Sequence, residues 1–114
     1  MLDMRKKWIR EYGDIADRLR ISRLALGHTP TTISRLIGMQ SSYWHNCESR
    51  TRRISVDRAI ALKRRTGLTL EWIFDSEIST LPKDIADKII REWESRGESP
   101  APKRNGLRSS GGRA

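Results

Sequence analysis

The feature that most constrains this chain is its punctuation: residues that start or stop helices recur at short intervals, and the apolar residues between them follow the helical period. Strand signals are nearly absent. The expectation is therefore an all-α fold built from short helices, each too brief to be stable alone and dependent on packing.

Asp14 is placed to cap a first helix in which Ile15, Leu19 and Leu26 share a face, and Gly27 can end it with a left-handed backbone. Thr29 caps a second, with Pro30 at its first position, an apolar set of Ile33, Leu36 and Ile37, and Gly38 as its stop. Gln40 sits at the next cap, and Met39 before it can pack on Trp44, a staple that fixes how the chain enters a third helix over Ser41–Ser49. Ser55 opens a fourth with Val56, Ala59, Ile60 and Leu62, and with Lys63, Arg64 and Arg65 in a last turn that favours cations. Gly67 ends it. Thr69 caps a short fifth helix containing Trp72 and Phe74, with Leu68 and Ile73 as its staple pair. Leu81 and Pro82 open a final amphipathic helix in which Ile85, Ile89 and Trp93 align, running to Gly97.

Composition narrows the partner. A formal net charge of +9 over 114 residues attracts polyanions at long range, whether DNA, RNA or an anionic membrane surface. Cys47 is the only cysteine, which excludes an intramolecular disulfide and suits a reducing cytosol. His28 and His45 are the only histidines and form no familiar metal spacing with it. No apolar run approaches the roughly 20 residues that span a bilayer, and the first ten residues lack the apolar stretch of a secretory signal, so a cytoplasmic protein without membrane contact is expected. No nucleophile with a matching base and no phosphate-cradling glycine loop is found; the chain does not read as an enzyme, and no cofactor is expected.

The informative stretch runs from Gly27 to Ser55: two short helices joined by a tight turn at Gly38, the helix-turn-helix layout. An ordinary helical hairpin would look similar on periodicity alone. What separates the two is the third helix, where Trp44 and Cys47 occupy one face and Ser41, Ser42, His45, Asn46 and Ser49 the other. A merely solvated face favours Lys and Glu, whereas small hydroxyls and an amide can approach base edges, and Asn can bond adenine N6 and N7 together. The base-reading candidates are therefore Ser41, Ser42, His45 and Asn46, with simple solvation as the alternative for His45. Arg50, Arg52 and Arg53 follow at once, where a loop could grip phosphates; Thr29, Thr31, Gln40 and Tyr43 are candidates for neutral phosphate contacts.

From Gly27 to Glu77 the chain resembles the XRE-type, lambda-repressor-like helix-turn-helix family of phage and bacterial regulators. The resemblance is carried by Leu26-Gly27, Thr29, Ile33, Leu36-Ile37-Gly38, Trp44, Glu48, Arg52-Arg53-Ile54-Ser55 and Gly67-Leu68-Thr69-Leu70-Glu71-Trp72-Ile73, a little under half the chain. It implies a bundle of about five short helices, the third in the major groove, and a structural ion pair between Arg23 and Glu48. It also marks departures: Pro30 replaces a Gln that touches phosphate, Cys47 replaces an aromatic, Arg50 stands where a Gly is common, and Ser22 replaces a core Leu, which predicts an altered turn and weaker packing under helix one.

The domain plan read from these features is an N-terminal extension at 1–13, whose Trp8, Ile9 and Tyr12 could dock a short helix, a helix-turn-helix domain at 14–78, a C-terminal helix at 79–97 and a disordered basic tail at 98–114. The function it implies is sequence-specific binding of double-stranded DNA by a transcriptional regulator, a repressor, with a homodimer as a further hypothesis. The competing readings are an antitoxin-like module that holds a protein partner through its last helix or tail, and an RNA-binding protein. Trp72, Phe74, Ile85, Ile89 and Trp93 are read as core, with a dimer surface on the last helix as the alternative.

Overall fold

The computed structural model describes residues 12–96; the short helix considered within 1–13 and the tail at 98–114 lie outside this range, apart from Tyr12 and Gly13. The described residues form six α-helices: α1 (Ile15–Ala25), α2 (Pro30–Leu36), α3 (Ser41–Glu48), α4 (Val56–Thr66), α5 (Leu70–Asp75) and α6 (Lys83–Ser95), with a 3-10 turn at Ile78–Thr80. No strand occurs among them. The chain is thus an all-α bundle.

Each boundary has a local cause. Asp14 and Asp17 form a reciprocal capping box at α1, and Thr29 and Thr32 form another at α2, with Pro30 in its first turn. Ser55 and Thr69 accept from the backbone N–H groups of Arg58 and Trp72 and so start α4 and α5. Gly67 closes α4 at φ +89, a left-handed backbone that favours glycine, and a Cβ there would sit tightly, 3.0 Å from Ile85 Cδ1 of α6.

α1 packs against α3, α5 and α6, while α2 packs on α3 and α4. The shared core holds Leu19, Ile21, Ile33, Trp44, Leu62, Leu68, Trp72 and Ile89, each buried. Ile85, Ile89 and Trp93 belong to that core, which removes the apolar face of the last helix as a dimer surface. Tyr12 belongs to it too, meeting Trp72 and Trp93 edge-on at centroid separations of 5.2 and 5.5 Å.

Three details depart from the expected apolar patterning. On α1, Ile15 and Leu26 are only partly buried, while Arg18 and Ser22 are inside. Arg18 is satisfied there: its Nε donates to the carbonyl of Ile73 at 3.1 Å, and its guanidinium also donates to the carbonyl of Gly13. Val56, placed in the apolar stripe of α4, is instead 59% exposed at the first helical position.

Ser22 does not weaken the packing under α1. Its hydroxyl accepts the indole N–H of Trp72 at 2.8 Å, in a place where a Leu would leave that donor buried and unpaired. Ser22→Ala is expected to lower stability by about 1–3 kcal/mol, the cost of orphaning a buried donor. In a Trp72→Phe background the same change should cost well under half as much, as measured by urea unfolding of the four proteins.

Candidate nucleic-acid interface

The outer side of α3 is set by what holds its inner side. Trp44 is fully buried, Cys47 is 2% exposed, and burial pushes the Cys47 thiol above its ordinary pKa, so this cysteine is a packing residue. Burying an indole removes on the order of 200 Å² from water, worth about 5 kcal/mol at 25 cal/mol per Å². The helix cannot roll without losing it. Ser34, buried on α2, accepts the backbone N–H of Trp44 at 3.3 Å, and Arg58 on α4 donates to the carbonyl of Ile37 at 2.7 Å, so the turn between α2 and α3 is held from both sides.

Arg23 and Glu48 form the ion pair that joins α1 to α3. Arg23 Nε and Nη2 lie 2.6 and 3.2 Å from the two Glu48 oxygens, and the Trp44 indole N–H donates to the same carboxylate. Arg23 Nη1 also donates to the carbonyl of His28 at 3.1 Å, just before the Thr29 cap. Both side chains are largely shielded, at 13% and 14% exposure. Glu48 therefore offers no free negative charge to a polyanion.

The opposite face of α3 is open. Ser41, Ser42, His45 and Ser49 are exposed and Asn46 is partly exposed. The side chains of Ser41, Ser42, His45 and Asn46 have no hydrogen-bond partner among the described residues, so their donors and acceptors are available. A hollow of about 380 Å³ runs beside this face, lined by Gly38, Met39 and Gln40 of the turn, by Ser42, Tyr43 and Asn46 of α3, and by Arg52. At the α2 N-terminus Thr31 is exposed, but the Thr29 hydroxyl is occupied by its cap, accepting from the Thr32 N–H at 3.1 Å. Gln40 caps α3 without a side-chain hydrogen bond and remains exposed.

Two more of the expected phosphate contacts are, like Thr29, engaged within the protein. Tyr43 is buried at 6% exposure, and its hydroxyl accepts the backbone N–H of Ser55 at 3.1 Å, so it cannot point outward. Arg50 is exposed but held: its guanidinium is 2.8 Å from a carboxylate oxygen of Asp14 and 2.8 Å from one of Asp17. These bonds push the Arg50 pKa up. Partial burial pushes Asp14 up, but the hydrogen bonds from Arg50 and from the Asp17 backbone, with the charge of Arg50, outweigh it and leave Asp14 below its ordinary value.

The acidic pair is what the sequence did not signal, since it lies more than thirty residues from Arg50 along the chain. Arg50 also adopts a left-handed φ of +70, so the turn after α3 keeps the backbone that a glycine would give. Arg52 and Arg53 are exposed and form no ion pair among the described residues.

Neither a family model, nor a curated protein, nor a solved structure matches the chain.

Three outcomes follow for stability. Glu48→Ala should cost about 3 kcal/mol, because it leaves a shielded Arg23 charge and the Trp44 N–H unpaired, while the double change Arg23→Met with Glu48→Leu should cost less than Glu48→Ala alone. Arg50→Gly should exceed Arg50→Ala in stability by about 1 kcal/mol, since both lose the ion pair but only alanine keeps the left-handed penalty. Because the Asp14 carboxyl is depressed in the folded state, its contribution is present above the ordinary carboxylate pKa and fades as pH falls through the depressed value. At this exposure that contribution is small, and denaturant midpoints measured between neutral and acid pH for parent and Arg50→Ala should converge as the pH falls.

Proposed function

We propose that this chain binds double-stranded DNA in a sequence-specific manner, inserting α3 into the major groove, and that it acts as a transcriptional regulator, a repressor, of the XRE type. The observation that carries the reading is the outer face of α3: exposed hydroxyls and an unengaged Asn46 amide on a helix fixed from behind by Trp44, Cys47 and the Arg23–Glu48 pair. A groove-reading helix needs neutral, short, bifunctional groups on its outer face and rigid support on its inner face, because a base contact discriminates only when its geometry is fixed.

In this reading Asn46 is the principal base reader, with Ser41, Ser42 and His45 beside it. Arg52 and Arg53 supply sequence-independent affinity by displacing counterions from phosphates. Thr31 and Gln40 add neutral contacts to the sugar-phosphate backbone. Thr29, Tyr43 and Arg50 drop out of the phosphate set because their polar groups are engaged within the protein. The partner is duplex DNA, the compartment is the cytoplasm, and a second copy of the chain would place two half-sites about 10 bp apart.

Selection of bound fragments from random duplex DNA tests the reading directly. A reproducible site is expected, and a palindrome within it would report the dimer. Asn46→Ala should relax preference at one position of that site, by about 1–3 kcal/mol of discrimination. Arg52→Ala or Arg53→Ala should weaken all duplexes alike and reduce the slope of log affinity against log salt by about one. An equal loss for every sequence upon Asn46→Ala would contradict the assignment.

A further inference from the structure

Tyr43 and Arg52 form a contact that the reading above does not use. The Arg52 guanidinium carbon stands 5.3 Å from the centroid of the Tyr43 ring, within the range in which a cation is attracted to the negative face of an aromatic ring. The ring is itself fixed. Tyr43 is buried, and its hydroxyl accepts the N–H of Ser55, the residue that caps α4. The exposed Arg52 guanidinium is thus laid against a ring whose position is set by the start of the next helix.

The place of this contact matters. Arg52 and Tyr43 line the same hollow as Ser42 and Asn46, so the stacked guanidinium is presented beside the residues that face outward from α3. Arg50, two residues earlier, is ion-paired with Asp14 and Asp17, whereas Arg52 meets no carboxylate among the described residues. An aromatic face holds a cation without cancelling its charge, which an acidic partner would do. The guanidinium therefore keeps its attraction for phosphate while losing part of the freedom it would otherwise give up on binding.

We propose that Tyr43 is a positioning residue: it holds Arg52 over the hollow so that the guanidinium meets the phosphodiester next to the base read by Asn46. The inference rests on the duplex-binding reading and deepens it. It assigns to Tyr43 no contact with DNA of its own.

The test is a double-mutant cycle on duplex affinity, using the full chain and the duplex recovered by selection. Tyr43→Leu should weaken binding about twofold to fivefold when Arg52 is present and leave it unchanged in an Arg52→Ala background. Tyr43→Phe, which keeps the ring but loses the hydroxyl held by Ser55, should weaken binding less than Tyr43→Leu does. The salt slope should stay at the parent value in Tyr43→Leu, because the charge remains, and fall by about one in Arg52→Ala.

A loss in Tyr43→Leu that is the same with and without Arg52 would overturn the proposal while leaving duplex binding intact. Failure of the parent chain to bind any duplex would overturn both. Should Tyr43→Leu fail to fold, the parent protein still decides: the Arg52 side-chain methylene protons next to the guanidinium should be shifted upfield by the Tyr43 ring in its NMR spectrum. Their appearance at ordinary positions would refute the stacking.

Discussion

The carboxylate of Glu48 is the point on which the arrangement of the first three helices depends. It receives Arg23 from α1 and the indole N–H of Trp44 from its own helix, so a single group links α1 to α3 and orients the buried Trp44 indole. Arg23 then passes the constraint on, since another of its nitrogens holds the carbonyl of His28 at the threshold of α2. A negative charge in this helix would be a liability near phosphate if it were exposed. Shielded and paired, it becomes the anchor behind an opposite face that carries hydroxyls, an amide and His45 but no carboxylate.

The same economy governs the cations. A net charge of +9 says only that the molecule is attracted to polyanions; which cations can act on one depends on what each is already bonded to. Arg18 is buried against backbone carbonyls, Arg23 is paired with Glu48, Arg58 caps the end of α2, and Arg50 is bound by two aspartates. Arg52 and Arg53 are left at the exit of α3 with exposed guanidinium groups. The fold spends most of the nearby arginines on its own backbone and acids, and leaves two beside the polar face.

How much of this could be read from the sequence follows from the range of each interaction. Helix boundaries were legible because caps and stops act within four residues: Asp14, Thr29, Ser55, Thr69 and Gly67 occupy the ends they were expected to occupy. The polar face of α3 was legible for the same reason, since one helical turn separates Ser42 from Asn46. Long-range pairings were not. Ser22 and Trp72 lie fifty residues apart, and nothing local announces that a missing leucine is matched by a distant indole N–H. Tyr43, in the first turn of α3, reads as a neutral phosphate contact; its hydroxyl instead accepts the Ser55 N–H, twelve residues away.

In the duplex-binding reading proposed above, Asn46 would join base reading and backbone grip in one geometric unit. Its side-chain amide is unengaged, but its carbonyl accepts the backbone N–H groups of Thr51 and Arg52, at 3.1 and 3.2 Å, so the chain leaving α3 folds back onto the end of the helix. The left-handed backbone at Arg50 makes that reversal, and the two aspartates of α1 hold the residue that makes it. Arg52 is therefore tied to Asn46 through the main chain and to α4 through Tyr43 and Ser55. A helix that read bases with its amide while its arginines hung from a loose loop would bind many duplexes weakly. Here the groups suited to selectivity and those suited to affinity share one rigid frame, and fixing one in a groove fixes the position of the other.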